Sequence, residues 1–302
     1  MDEAAEKLRI ALGEDAVLIK EPMRGHTTFH TGGPADLFVI PGSPEEVQAS
    51  LAILREHKIP VLVLGNGSNL LVGDRGIHGA VLHIGSRMSE IAVEGECIIA
   101  QGGALLSAVS AKAAEHSLAG LEFASGIPGS LGGAVTMNAG AYGNEMKDVL
   151  ESAIVLTKEL EIQTISAQVL ALSYRHSSLP EKGYILLSAR LKLKKGEAES
   201  IREKMRTLGE QRREKQPLQY PSAGSTFKRP EGYFAGKLIQ DAGLKGKTIG
   251  GAQVSEKHAG FIVNTGDATT RDILDLITFC QKAVYNQFGV SLETEVKIVG
   301  EL

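Results

Sequence analysis

Apolar residues recur along the chain with two periods, and the switches between them mark its elements. Leu8 and Leu12 fall on one side of a short amphipathic helix over residues 4–12. In residues 26–41, HTTFHTGGPADLFVIP, β-branched and aromatic residues flank a Gly-Gly pair, which predicts strand, glycine turn, strand. Ser43 then precedes a helix with Pro44 at its first position and Glu46 completing a capping box, and that helix is expected to end near Lys58. VLVL (61–64) predicts a short buried strand, and further strands are predicted at 80–84, 97–101 and 153–157. Residues 104–116 read as a helix with a small-residue face. In 184–194, Ile185, Leu187, Ala189, Leu191 and Leu193 alternate with Leu186, Ser188, Arg190, Lys192 and Lys194, a strand with one buried face. Strands with few helices between them make this part α+β rather than doubly wound.

The texture changes at 197–217, a strongly charged helix ended by Pro217. Beyond it, 235–243 predicts a helix stopped by Gly243, IGGAQV and GFIVN predict short strands, and 269–289 predicts a long amphipathic helix closed by Gly289. EVKIVG (295–300) predicts a last strand. The expected organisation is a first domain over 1–198, in two lobes split near residue 85. A small α/β domain over 199–302 follows, and its last strand is a candidate to return to the first domain.

One stretch fits neither period. SGIPGSLGGAVTMNAGAYG (125–143) carries Gly126, Gly129, Gly132, Gly133, Gly140 and Gly143 with almost no charge. Ordering so many glycines is costly, and the usual return is close approach of backbone N–H groups to a phosphate. Pro128 fixes a bend, and Leu131, Ala134, Val135 and Met137 are apolar enough to lie buried beneath. The stretch reads as a cradle for a large phosphorylated ligand. GNGSNLLVGDRG (65–76) also follows a strand, but Leu70 stands where a dinucleotide fingerprint requires its third Gly, and no helix opens there. It reads either as a second phosphate-contacting turn, with Ser68 and Asn69 as donors, or as a simple Asn-Gly hairpin turn. GLKGKT (243–248) is not a P-loop, because Asp241 occupies the required glycine position and a helix precedes it.

Composition narrows the class. The formal net charge is −4, and the only basic run is Arg212, Arg213 and Lys215, so nucleic-acid binding is not the expected task. Cys97 and Cys280 are solitary, which points to neither a disulfide framework nor a zinc knuckle. His26 and His30 would suit a metal on a helix, but Thr27, Thr28 and Phe29 favour a strand, and no metal site is expected. The first twenty residues hold no apolar signal core and no run of eighteen apolar residues occurs, so no membrane insertion and a cytoplasmic location are expected.

Three turns combine reactive groups. SYRHSS (173–178) holds Tyr174 and Arg175, PSAGSTFKRP (221–230) holds Ser225, Lys228 and Arg229, and LETEVK (292–297) holds Glu293 and Glu295. Each alone reads equally as an exposed Tyr-Arg turn, a Ser-Gly loop or a solvated edge carboxylate.

Together with the cradle, GNGSNLLV, GIPGSLGGAVTMNAGAYG, YRHS, GSTFKRP, GKLIQDAGLKG, IGGAQVSEKHAGFIVN and LETEVKIVG resemble the UDP-N-acetylenolpyruvoylglucosamine reductases, the MurB family of flavoproteins. The resemblance runs in order from about His26 to Gly300. The short span from Tyr174 to Pro217 resembles the compact form without an inserted subdomain. It implies a two-lobed FAD-binding domain of the vanillyl-alcohol-oxidase type with a substrate-binding domain after it. The implied enzyme uses NADPH to reduce the enolpyruvyl group of a UDP-sugar, UDP-N-acetylglucosamine enolpyruvate, to UDP-N-acetylmuramate, a peptidoglycan precursor.

By the same resemblance Gly65, Asn66, Gly67, Ser68, Asn69 and Leu70 in one turn hold FAD. In the other turn Gly126, Ile127, Pro128, Gly129, Ser130, Gly132, Gly133, Asn138, Ala139 and Gly140 do so. Hydride addition to C3 of the enol ether builds charge on the carboxylate and C2. Arg175 carries over as the cation that stabilises it, Glu295 as a second polarising partner and Ser225 as the proton donor to C2. Tyr174, Lys215, Arg229, Lys245 and His258 carry over to the UDP diphosphate, although some relatives have Asn at the position of Arg229 and Gln at that of His258. An FAD-dependent oxidase on the same scaffold is the alternative, and it leaves GSTFKRP and LETEVK unexplained. A sugar-nucleotide-binding module without redox activity would be colourless.

Overall fold

Helix ends follow the local chemistry. The helix Pro44–Glu56 starts at Ser43, whose hydroxyl accepts from the Glu46 N–H at 3.2 Å, with Pro44 in the first turn. The Glu46 carboxylate does not close the expected capping box. It reaches one residue further back, to the Gly42 N–H at 2.7 Å. The helix Thr270–Phe288 does form a full box between Thr269 and Asp272, and Gly289 ends it in the left-handed conformation.

The computed structural model describes residues 1–302, which fall into two units. The first comprises Met1–Ile19, Leu37–Asn66 and Gly79–Arg212, and the second comprises Lys20–Asp36, Gly67–His78 and Arg213–Leu302. A cut at 198/199 therefore differs from the observed units in two ways. Two N-terminal segments group with the C-terminal region, and most of the helix Ala198–Lys215 groups with the first unit.

The first unit holds two cores. One packs the helices Asp2–Leu12 and Pro44–Glu56 through Leu8, Val47, Leu51 and Leu54 against Leu37, Val39, Ala80 and Leu82. There Val61–Leu64 runs parallel to the strand Ile77–His83. The other core lies on a five-stranded antiparallel sheet in the spatial order 162–166, 150–156, 185–192, 97–101, 91–94. The helix Leu106–Glu115 covers it through Leu106, Val109 and Ala113. The strands Ile91–Glu94 and Ile162–Ser166 escaped the sequence reading. The first is four residues long, and the second lies on the sheet's edge with Gln163, Thr164 and Ser166 exposed, so neither shows an apolar run.

The second unit packs the helix Thr270–Phe288 on a three-stranded antiparallel sheet, 248–249, 252–254 and 262–264, burying Ile273, Leu276, Ile277, Cys280 and Val284. The last strand, Lys297–Val299, pairs in parallel with Leu70–Val72. The strand predicted over 26–31 does not form. Phe29 is fully buried in this core, and the chain coils around its ring. The Thr27 hydroxyl donates to the Thr31 carbonyl at 3.0 Å, and His30 takes φ +56°.

Candidate active site

The cradle is a bent strand of glycine turns leading into a six-residue helix, Leu131–Thr136. Leu131, Ala134 and Val135 are buried beneath it as expected, whereas Met137 is only half-buried. Its backbone is stitched to the 102–106 segment: Leu106 donates to Gly129, Leu131 to Ala104 and Gly132 to Gly102, all at 2.8–2.9 Å. A Cβ on Gly132 would stand 3.1 Å from the Gly102 carbonyl oxygen, a tight approach. Gly65 and Asn66 border the same place. The Asn66 amide donates to the Pro128 carbonyl at 2.7 Å, and a Cβ on Gly65 would lie 2.2 Å from Ser130 Oγ.

Ser130 Oγ is buried and has no hydrogen-bond partner in the protein, an arrangement that costs free energy unless a ligand supplies one. An orphaned hydroxyl at the head of a glycine turn suits the phosphate end of a dinucleotide. The charged helix Ala198–Lys215 runs along this turn. Lys204 pairs with buried Glu122 at 3.5 Å, and the Leu208 carbonyl accepts from the Tyr142 hydroxyl at 3.2 Å. Arg212 packs against Gly126, whose Cβ would meet Arg212 Cδ at 3.0 Å. Burial pulls the Arg212 pKa down, offset in part by Tyr142. The sequence reading took Arg212 as part of a basic run. The spacing 201, 204, 208, 212 is the signal that one helix face is covered.

Ser173 and His176 exchange both backbone hydrogen bonds at 3.1 Å, so Tyr174 and Arg175 form the tip of a tight hairpin in the first unit. Tyr174 is exposed, Arg175 is half-buried, and its guanidinium carbon lies 5.0 Å from the Tyr174 ring centre. Arg175 takes φ +54°, a conformation that costs a branched-chain-free but non-glycine residue free energy and that clusters at functional sites. Asn138 is fully buried, and its side-chain amide is committed to protein partners. Ala139 and Gly140 follow it, half-buried, at the start of a two-stranded turn with Asn144–Glu145.

In the second unit Gly67 takes φ +61°, and a Cβ there would lie 1.9 Å from the His26 carbonyl oxygen. Thr28 donates its N–H to the Gly67 carbonyl at 3.3 Å, and its hydroxyl is buried without a partner, a polar group the sequence reading missed. Ser68 is half-buried in the same turn. Asn69 grips the last strand from both sides: its amide donates to the Glu295 carbonyl at 3.2 Å, and its own carbonyl accepts from the Lys297 N–H at 3.0 Å. Leu70 is the register partner of Lys297.

Ser225 follows Gly224 at φ +75°. The next residues pair with the Glu295 segment: Glu295 donates its N–H to Thr226 at 2.8 Å, Phe227 bridges Thr294, and Lys228 donates to Glu293 at 2.9 Å. Ser225 and Glu295, both half-buried, therefore sit on adjacent antiparallel segments. Thr226 also donates to the Gly260 carbonyl at 2.8 Å, and Gly260 donates to His258 Nδ1 at 3.1 Å. Burial holds the His258 pKa below its ordinary range, with the Lys245 charge adding to the effect, so the imidazole is neutral near pH 7. The Arg229 guanidinium lies 4.0 Å from the Phe234 ring centre. Lys215, Arg229 and Lys245 are exposed.

Residues 216–299 match the family model for the UDP-N-acetylenolpyruvoylglucosamine reductase C-terminal domain, and residues 35–166 match that for an FAD binding domain. A UDP-N-acetylenolpyruvoylglucosamine reductase of Caldanaerobacter subterraneus is 55% identical over 296 residues, which is 98% of each chain. The chain belongs to the UDP-N-acetylenolpyruvoylglucosamine reductase family. The solved reductase of Thermus caldophilus superposes with a TM-score of 0.80 at 36% identity, covering 93% of this chain and 97% of that one. A 4-ethylphenol oxidase from Gulosibacter chungangensis shares the fold alone, with a TM-score of 0.51 at 17% identity over 97% of this chain and 64% of that one. The reductase fold here is α+β, an FAD-binding domain of the vanillyl-alcohol-oxidase type with a small α/β domain.

Proposed function

We propose that this chain reduces the enolpyruvyl group of UDP-N-acetylglucosamine enolpyruvate with NADPH, yielding UDP-N-acetylmuramate for peptidoglycan precursor synthesis. Family membership over 98% of the chain supports the reaction. The observation that carries it to particular residues is the pairing of the Ser225 and Glu295 segments. When bound, FAD would supply the hydride-transfer chemistry between NADPH and the enol ether. The bare turns at Gly65–Asn66 and Gly126–Gly133, with the unpartnered Ser130 hydroxyl, would hold its phosphates, and Arg212 adds a cation beside Gly126. Gly67–Leu70 and the Asn138–Gly140 stretch would border it through backbone.

Arg175 stabilises the negative charge that develops on the substrate carboxylate as C3 gains hydride. Glu295 polarises the same group. It does so through a hydrogen bond, since a second bare anion held against the carboxylate would repel it. Ser225 Oγ gives its proton to C2, completing the reduction. Lys215, Arg229 and Lys245 face the diphosphate as cations. Tyr174 and the neutral His258 contribute hydrogen bonds rather than charge. We place the reaction in the cytoplasm, in keeping with a chain in which no helix is long and apolar enough to cross a membrane.

The purified protein should show flavin absorbance, bleach with NADPH and recolour on addition of the enolpyruvyl sugar nucleotide. Ser225→Ala should keep the bleaching and slow the recolouring by about 10²–10⁴-fold, the usual contribution of a positioned proton donor. Recolouring by oxygen and other substrates but not by the sugar nucleotide would assign the chain to the oxidases instead.

A further inference from the structure

The resemblance assigns Asn138 to the cofactor, but its side chain is spent elsewhere. Asn138 is fully buried and takes φ +41°, a left-handed conformation that asparagine tolerates better than most residues. Its amide nitrogen donates to Glu145 Oε2 at 2.6 Å and to the Ser173 carbonyl at 2.9 Å. Its amide oxygen accepts from the Lys147 N–H at 2.9 Å. Both donor hydrogens are in use and the oxygen already accepts one bond, so the side chain has no donor left for a ligand's phosphate.

Ser173 opens the hairpin whose tip is Tyr174-Arg175. Past the other end, the Ser177 hydroxyl donates to the Thr136 carbonyl at 2.7 Å, and Thr136 is the last residue of the cradle helix. The hairpin is thus tied at 173 and at 177 to the two sides of Met137. These ties act beside the anchoring of Ser178 to Val169 and Leu170, and together they hold the base of a hairpin whose tip carries a half-buried arginine at positive φ.

We infer that Asn138 is a positioning residue for Arg175: it converts the end of the glycine cradle into a fixed mount for the hairpin, with Ser177 as the second tie. Aspartate cannot replace it, because a carboxylate donates neither bond and would face Glu145. Glycine keeps the left-handed backbone and removes the side chain, so Asn138→Gly separates the two roles. The inference rests on the reading of Arg175 as the cation of the reaction, and the test keeps the two apart.

The experiment compares flavin-loaded wild type, Asn138→Gly, Ser177→Ala, Arg175→Ala and the Asn138→Gly/Arg175→Ala double variant. Two readouts are used: the bleaching and recolouring half-reactions, and limited trypsin cleavage after Arg175. In Asn138→Gly, recolouring by the enolpyruvyl sugar nucleotide should fall about 100-fold, in kcat more than in KM. That is the scale of a small misplacement of a charged group. Bleaching is followed in parallel as the measure of the flavin site. Trypsin should cut after Arg175 about 10-fold faster, reporting local opening whatever Arg175 does in catalysis. The double variant should be no slower than Arg175→Ala alone. Wild-type recolouring in Asn138→Gly beside impaired Arg175→Ala overturns the inference and leaves the reading intact. Wild-type recolouring in Arg175→Ala overturns the reading, and the trypsin rates then decide whether Asn138 holds the hairpin. Should Asn138→Gly fail to retain flavin, Ser177→Ala decides: unchanged cleavage after Arg175 overturns the mount, and faster cleavage supports it.

Discussion

The two glycine-rich turns use their glycines differently. In 125–143 the glycines strip a surface, so that a buried hydroxyl, Ser130 Oγ, is left without a protein partner. In 65–70 the decisive glycine is crowded from within: a Cβ on Gly67 would strike the His26 carbonyl at 1.9 Å, and Asn69 spends its polar groups on the last strand. Both turns spend backbone hydrogen bonds on neighbouring segments, 102–106 in one case and the last strand in the other, and each borders one buried unpartnered hydroxyl, Ser130 Oγ and Thr28 Oγ1. Glycine density alone does not separate a ligand cradle from a splice.

The contrast can be broken most forcefully at Gly67. Gly67→Ala combines a positive φ with a backbone clash that no rotamer relieves, and should destabilise the protein by about 3 kcal/mol or more, read from urea unfolding with and without FAD. A loss of only FAD affinity, with stability kept, would make this turn a cradle like the other. Ser130→Ala should do the reverse. Removing an unpartnered hydroxyl should leave the flavin-free protein as stable or slightly more so, while weakening FAD binding by about 1–2 kcal/mol in a titration. Acid offers the smallest and most local probe. His258 has a folded pKa below its unfolded value of 6.5, so its contribution to stability is present above that value. It is lost as pH falls through the folded pKa. Protonation competes with the Gly260 N–H for Nδ1, and Gly260 in turn holds Thr226. Thermal midpoints of His258→Gln should therefore fall less than those of wild type between pH 7 and pH 5.

Regular spacing was legible from sequence: the alternation in 185–192 and the Gly289 stop both appear where residue chemistry puts them. The Gly224-Ser225 turn was legible from its residue chemistry. Long-range assembly was not. Residues 26–31 have strand propensity, yet burial of the Phe29 ring and the Thr27–Thr31 bond coil them. The helix Ala198–Lys215 reads as a solvated boundary, because the face it covers is made of Lys204, Leu208 and Arg212 rather than an apolar stripe. The work done by Asn138 was hidden because its partners, Glu145, Lys147 and Ser173, declare nothing until the chain is folded.

The splice made by Asn69 has a consequence for biosynthesis. Asn69 and Glu295 are separated by 226 positions. At about 5–20 residues per second, a ribosome takes on the order of 10–45 s to deliver the partner of Leu70–Val72 after that strand emerges. For that interval an apolar strand waits unpaired, a natural client for a holding chaperone. The nascent protein cannot join Asn69 to Glu295 until residue 295 has been made.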